Sequence, residues 1–316
     1  MPIKCLSVHL TDLCNSKCTF CVVGSPLYTK DTIVYERVVQ FLHENANNGY
    51  EAVNLHGGEA TIHPRFFDTL EYIRDLGYPE VHLQTNAIAL SKPEFARRVV
   101  ELGVTLFIIS LHGHTPEVQD SQTGTPGGLM RTLDGIRNVK QQGARVRTNT
   151  VITRQNVTSL PAITQLAVDV GVDHINFSNL HPVGSATFAL ERITPTFAEV
   201  REYLYPAIDI AAAAGRRVTL EGFPYCAVVE KAGFHLNNEY RDIRMLMRGV
   251  VIEDYDAFMS DTCRVFVPPC GDCAVRDLCG GVYPEYVQLR GWDEFSAFPT
   301  AGSPQPALAG PTLTSH

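Results

Sequence analysis

Nine cysteines carry the most chemically informative spacing in this 316-residue sequence. Cys14, Cys18 and Cys21 form a C-x3-C-x2-C run in the segment TDLCNSKCTFC, and Cys270, Cys273 and Cys279 form a C-x2-C-x5-C run that leads into Gly280-Gly281. Cys263 stands just before the second run, Cys226 lies further back in GFPYCAVV, and Cys5 sits alone near the start. An odd count behind the opening MPIKCLSVHL, which reads as a strand and not as an export signal, argues against a disulfide framework and for metal binding. Three thiols on one short loop hold three corners of an iron–sulfur cubane and leave the fourth iron open. Zinc is the competing reading, but a structural zinc takes four protein ligands and no fourth partner lies beside this triplet. The second run has a short-loop spacing that wraps a metal, with PPC supplying rigid backbone and CGG permissive backbone at its edges. Zinc remains an alternative there too.

The elements that must position these loops follow from periodicity. Short β-branched or aromatic runs predict strands at 5–10, 52–56, 80–85, 104–111, 145–152 and 174–178, with a further one at 218–221. Helical stretches fill the gaps at 32–46, 64–76, 93–102, 129–142, 159–170 and 196–214, several of them stopping at Gly77, Gly103, Gly143, Gly171 and Gly215. Six strand–helix units in succession predict an α/β fold, a partial (β/α)6 TIM-like barrel with its active site at the carboxyl ends of parallel strands. The first cysteine loop follows the first strand and so belongs to that end. Past residue 222 the alternation gives way to an irregular, cysteine-rich stretch, which predicts a barrel over 1–222 and a small cluster-binding subdomain over 223–297. The remainder, 298–316, is rich in Pro, Ala, Ser and Thr with no periodic apolar face, and predicts a disordered tail.

Composition narrows the class. With 45% hydrophobic and 19% charged residues the chain buries a sizeable core, and its net charge of −8 weighs against a surface that holds nucleic acid by neutralising phosphates. No apolar run approaches a membrane span, so a cytoplasmic protein without membrane contact is expected.

The cysteine loop resembles that of the radical S-adenosylmethionine (radical SAM) superfamily, a C-x3-C-Φ-x-C loop after the first strand, with Phe20 as the aromatic beside the last cysteine. Further elements arrive in the family's order across residues 3–222. His56-Gly57-Gly58-Glu59-Ala60-Thr61 is similar to the G-G-E-P-T element, with Ala60 in place of proline. The resemblance implies that Gly57, Gly58 and Glu59 hold the amino group of the cofactor's methionine part: glycines admit close backbone approach and a carboxylate accepts from an ammonium. Thr85-Asn86 at the third strand end and Ser110 at the fourth are similar to polar endings that bind ribose and carboxylate, while Asn149 and Leu180 stand at heights where relatives place further cofactor contacts. Thr85, Asn86 and Ser110 also read as ordinary strand caps. Tyr28, His112, Asn176 and His181 are candidates for substrate contact. The implied chemistry is reductive cleavage of S-adenosylmethionine to a 5'-deoxyadenosyl radical that abstracts hydrogen from the substrate, with electrons from a donor such as flavodoxin or ferredoxin.

The second run resembles the auxiliary-cluster extension of radical SAM enzymes called SPASM, or its smaller relative twitch, in which a further cysteine follows after x3. Tyr283 occupies that position here, so the resemblance implies one auxiliary [4Fe–4S] cluster on Cys270, Cys273, Cys279 and a fourth ligand. Cys226 is favoured over Cys263 because of its Pro-turn context. The expected enzyme oxidises, rearranges or forms a C–C bond in a small metabolite, a sugar, nucleoside or amino-acid derivative, in a biosynthetic pathway. A maturase acting on a ribosomal peptide is the alternative, and a non-catalytic metal-binding protein a third.

Overall fold

A computed structural model describes residues 2–235 and 240–298. In chain order the elements are β1 (Ile3–Thr11), α1 (Tyr35–Asn45), β2 (Ala52–Gly57), α2 (Phe66–Leu76), β3 (Glu80–Thr85), α3 (Pro93–Glu101), β4 (Leu106–Ser110), α4 (Pro116–Thr123), α5 (Gly128–Gln141) and β5 (Arg145–Val151). There follow α6 (Leu160–Asp169), β6 (His174–Ser178), α7 (Leu190–Ile193), α8 (Phe197–Ala213), β7 (Arg217–Glu221), β8 (Tyr240–Met247), β9 (Val250–Ile252), α9 (Tyr255–Thr262) and α10 (Pro284–Arg290). All seven expected strands and six expected helices form. The five glycines expected to stop helices all take left-handed φ. Helix α8 opens on a capping box, in which Glu199 N–H donates to Thr196 Oγ1 at 3.1 Å and Thr196 N–H donates to Glu199 Oε2 at 2.7 Å.

Strands β1 to β7 lie side by side in sequence order, each parallel to the next. Successive side chains alternate between a helix-facing core and the inner face. Leu6, Val8 and Leu10 of β1, Leu55, Leu83, Phe107, Ile109, Ile175 and Phe177 are buried in one hydrophobic core. Residues of the opposite parity are largely polar: Ser7 and His9, Asn54 and His56, His82, Ser110, Arg147 and Asn149, His174, Asn176 and Ser178, Thr219 and Glu221. That polar face lines the concave side. His82 Nδ1 on β3 lies 2.9 Å from Tyr240 Oη on β8, three strands away, a reach that a flat sheet with strands about 4.8 Å apart forbids. The sheet is curled, an α/β half-barrel with helices outside.

Two features depart from the expected pattern. Residues past 222 are not merely irregular: β8 adds in parallel to the free edge of β1, and β9 returns antiparallel beside it. A short polar helix, α4, stands between β4 and α5 where no helix is expected. The expected disordered tail, 298–316, lies outside the described residues except for Phe298, which is buried against Tyr225 beside Cys273 and Cys279. None of the helices among the described residues is long and apolar enough to cross a membrane.

Candidate active site at the carboxyl ends of the strands

The loop bearing Cys14, Cys18 and Cys21 leaves β1 and is held from three sides. On the first side, Gly58 N–H donates to Thr11 O at 2.7 Å and Glu59 N–H to Leu13 O at 2.8 Å, so the turn after β2 pairs with the start of the loop. The glycines are required by this contact: a Cβ on Gly57 would meet Thr11 O at 2.4 Å, and one on Gly58 would meet Leu13 O at 2.2 Å. Their smallness serves an approach of backbone to backbone. On the second side, Lys17 and Thr19 N–H donate to the carbonyls of Thr123 and Gln122 at the end of α4, at 2.7 and 2.9 Å. On the third, Ser185 N–H donates to Cys21 O at 2.9 Å, and Gly184 packs on Cys21 and Val22 so closely that a Cβ would lie 2.3 Å from Cys21 O.

Glu59 joins these pieces. Its carboxylate is 1% exposed and accepts from Thr61 N–H and Oγ1 (3.2 and 2.6 Å), Thr85 Oγ1 (2.7 Å) and Asn86 N–H (2.8 Å). Burial raises its pKa in spite of these donors. Asn86 Nδ2 in turn donates to Asn15 Oδ1 at 2.7 Å and Ser16 Oγ at 3.2 Å, within the cysteine loop. Glu59, Thr85 and Asn86 therefore form a staple that ties β2, β3 and the loop together. Phe20 and Leu180 pack in one small apolar cluster with Ala186 and Ile193, against Cys18. Phe20 also stands edge-on to His112 at 4.6 Å. His112, expected as a substrate contact, is a framework residue: its N–H donates to Gln119 Oε1, its Nδ1 accepts from Val151 N–H, and its carbonyl accepts from Gln122 and Asn156. Burial pulls its pKa down to about 3.

The donor set suits a cluster with one open iron. Burial, reinforced by Glu59 and Cys21, pushes Cys14 up to about 12, and burial with Cys21 and Cys14 raises Cys18, so the three sulfurs share one enclosed space in which a thiolate needs metal to be stable. Among the described residues no three His, Cys, Asp or Glu side chains converge on a single ion. A cubane is ligated at its corners, several ångströms apart.

Beyond the loop, the ends of β4 to β7 carry a connected polar surface. Asn149 Oδ1 accepts from Asn176 Nδ2 and Ser178 Oγ, both at 2.7 Å. Glu221 Oε2 accepts from Asn176 Nδ2 at 2.9 Å, Ser178 Oγ at 3.1 Å and Arg147 Nη2 at 3.5 Å. Below it, Thr219 Oγ1 bridges Asn176 Oδ1 and His174 Nε2 at 2.6 and 2.7 Å. Ser110 sits beside Asn149 in register. Arg147 and Glu221 escaped the sequence reading, although their placement at alternate positions of inner strands marks them.

At the C-terminal cysteines, Cys226, Cys270, Cys273 and Cys279 line one cavity, together with Pro224, Tyr225 and Phe266. Burial pushes the Cys226 thiol up to about 11, with Cys279, Cys270 and Cys273 adding to it, whereas the charged neighbours of Cys263 are Arg264 and Glu285. Tyr283 is 4% exposed, its ring stacked on His181 at 4.4 Å. Cys5 is buried on β1.

Residues 8–167 match the family model described as the Radical SAM superfamily. Among curated proteins, the chain is 30% identical over 183 residues to a probable GTP 3',8-cyclase of Sulfurisphaera tokodaii and 29% identical over 185 residues to one of Metallosphaera sedula. It spans about three-fifths of their length, 58% and 57%, and the alignments cover 58% of this chain. Among solved structures, Streptococcus suis SuiB bound to S-adenosylmethionine superposes with a TM-score of 0.68 at 16% identity over 94% of this chain and 76% of that one. Native anSMEcpe with bound AdoMet gives 0.61 at 16% identity over 92% of each. These two show the same fold. With a family match over just over half its length, carried by the cysteine loop and strand ends that the fold locks together, the chain belongs to the radical SAM superfamily and is a radical SAM enzyme.

Proposed function

We propose that this enzyme acts on a small polar metabolite, a sugar, nucleoside or amino-acid derivative, and carries one auxiliary [4Fe–4S] cluster beside its catalytic one. The observation that carries the reading is the hydrogen-bonding surface of Ser110, Asn149, Ser178 and Glu221 at the mouth of the half-barrel, with Arg147 behind it. Such a set orients hydroxyl and amino groups of a compact substrate. The named cyclases of similar sequence, whose name gives GTP as substrate, support a nucleotide or nucleoside within that class.

Cys14, Cys18 and Cys21 would hold the catalytic cluster, with S-adenosylmethionine on its open iron. When bound, that pair supplies a 5'-deoxyadenosyl radical for hydrogen abstraction. The chain's own residues supply position. Glu59, Thr85 and Asn86 keep the loop in register, Phe20 and Leu180 pack over Cys18, and Ser110 and Asn149 belong to the substrate surface. Glu59 Oε2, which accepts only Asn86 N–H among the described residues, is the oxygen that would meet the methionine ammonium. Cys226, Cys270, Cys273 and Cys279 would ligate the auxiliary cluster, supported by their shared cavity. A flavodoxin or ferredoxin would deliver the electron.

Anaerobically reconstituted protein should carry about eight irons and form 5'-deoxyadenosine on reduction, and replacing Cys14, Cys18 and Cys21 by Ala should abolish that product. Continued formation in the triple variant refutes the assignment. A peptide substrate is the second reading, favoured by the fold-alike SuiB solved with its precursor peptide SuiA. Turnover of nucleosides or amino sugars, tested against short peptides, separates the two.

A further inference from the structure

Arg264 is a cation in an unusual position. Among the described residues it has no carboxylate within ion-pair distance, and its only hydrogen bond is the 3.4 Å contact from Nη2 to Tyr283 Oη. Its Nε is buried without an acceptor. The guanidinium nevertheless does not wander: it lies 5.1 Å from the centre of the Tyr283 ring, whose stacking partner is His181 from the loop after β6. Gly280 makes room for it, since a Cβ there would sit 2.3 Å from Nη1, and a Cβ on Gly222, just past β7, would come within 3.2 Å of Tyr283 Oη and 3.5 Å of Arg264 Nη2. The guanidinium is thus held beside Gly222, just past the carboxyl end of β7 and next in sequence to Glu221.

An arginine with its donors unspent, held over a tyrosine ring beside the end of β7, has the form of an oxyanion receptor. The surroundings agree. His181 and His235 are both pulled down to about 4, by burial first and then by Arg264, so its positive field reaches both rings. His235 Nε2 is buried without a partner. Glu221, Glu285, Tyr255 and Cys263 complete the neighbourhood, and Glu221 Oε2 is engaged by Asn176, Ser178 and Arg147.

We propose that Arg264, with the Tyr283 hydroxyl, forms the anion-binding end of the substrate pocket and takes a carboxylate or phosphate oxyanion of the substrate. The inference rests on the reading of the half-barrel mouth as a small-metabolite site and narrows it: the metabolite is an acid or a phosphate ester whose uncharged polar groups lie on Asn149, Ser178 and Glu221.

The test is calorimetric titration of the anaerobically reconstituted full chain at constant ionic strength with potassium pyrophosphate and, separately, malonate. Wild type should show saturable binding of at least one, and the one it prefers distinguishes phosphate from carboxylate. Arg264→Gln should weaken that binding about tenfold or more, the loss of one charge-assisted pair. Arg264→Lys should fall between the two, and Arg192→Gln, a change of surface charge elsewhere, should match wild type. Equal affinity in Arg264→Gln, or no binding of either probe to wild type, overturns the proposal. If Arg264 served as counter-charge to the auxiliary cluster, Arg264→Gln would alter iron content or the cluster's visible spectrum with binding unchanged, which also overturns it. Formation of 5'-deoxyadenosine by the same samples is scored separately, so failure of the functional reading and failure of the anion site give different results.

Discussion

Gly58→Ala tests the central claim about the active-site loop. The added Cβ would lie 2.2 Å from Leu13 O, 2.6 Å from Leu13 C and 2.7 Å from Asp12 O, all backbone atoms that no side-chain rotation can clear. Relief requires the turn after β2 to part from the cysteine loop, which lengthens or breaks the bonds Gly58 N–H to Thr11 O and Glu59 N–H to Leu13 O. Overpacking of this kind costs about 1–3 kcal/mol and each lost buried hydrogen bond about 1 kcal/mol, together about 3–5 kcal/mol. In a chain of this size that lowers Tm by about 5–8 °C. The matched control is Gly49→Ala, which has left-handed φ but nothing within 4 Å of its Cβ, and carries only a backbone penalty of about 1 kcal/mol. Thermal unfolding under anaerobic conditions measures both, and 5'-deoxyadenosine formation should fall in Gly58→Ala while Gly49→Ala retains it. A Gly58→Ala protein within about 2 °C of wild type and fully active would refute the interlock.

Three further outcomes follow from the geometry. Cys226→Ala should lower iron content from about eight to about four per chain while Cys263→Ala leaves it unchanged, as read by iron assay after reconstitution; the reverse pattern would transfer the fourth position to Cys263. Asn86→Ala, which removes the bonds to Asn15 and Ser16 but none of the cysteines, should slow 5'-deoxyadenosine formation while iron content holds, and unchanged rates would count against the staple. His82, His112 and His174 are buried and held neutral, with pKa values pulled down to about 4, 3 and 2 by burial, against 6.5 when unfolded. The unfolded chain takes up protons that the folded chain refuses, so stability present above pH 6.5 drains away as pH falls, by about 2 kcal/mol per histidine at pH 5. Urea unfolding at pH 7.5 and pH 5.0 measures the loss, and equal midpoints would contradict it.

The barrel was readable from sequence because its strands are short, alternate strictly and are separated by glycine-stopped helices. The 80–85 and 174–178 expectations coincide with β3 and β6 to the residue. Helix α4 escaped because it lacks an apolar stripe: Gln119 and Gln122 anchor it through bonds to the backbone of His112, a form of attachment that periodicity does not register. Strand β8 escaped for a different reason, since YRDIRMLM reads as a polar edge and its partner is the first strand of the chain. The cysteines and the GGE turn were legible as chemistry, but the direction in which Gly57 and Gly58 are crowded was not, because sequence names the small residue and not the atom it must avoid. Arg264 and Tyr283 are separated in sequence and meet only once Val265 pairs with Val282 in the folded C-terminal segment.

The pairing of β8 with β1 also bears on how the molecule is made. Ile3 pairs with Tyr240 and Val8 with Leu246, so β1 waits for about 230 further residues to be made before its second edge is covered. At about 5–20 residues per second the interval is on the order of ten to fifty seconds, during which Leu6, Val8 and Leu10 lie on a strand with an open edge. Arg248, in the turn between β8 and β9, then reaches Asp12 Oδ1 at 2.8 Å and Val23 O at 3.0 Å, on either side of the cysteine loop. Loop closure at the active site is thereby coupled to synthesis of β8 and Arg248, and a nascent or truncated chain ending before residue 240 presents the loop without that latch.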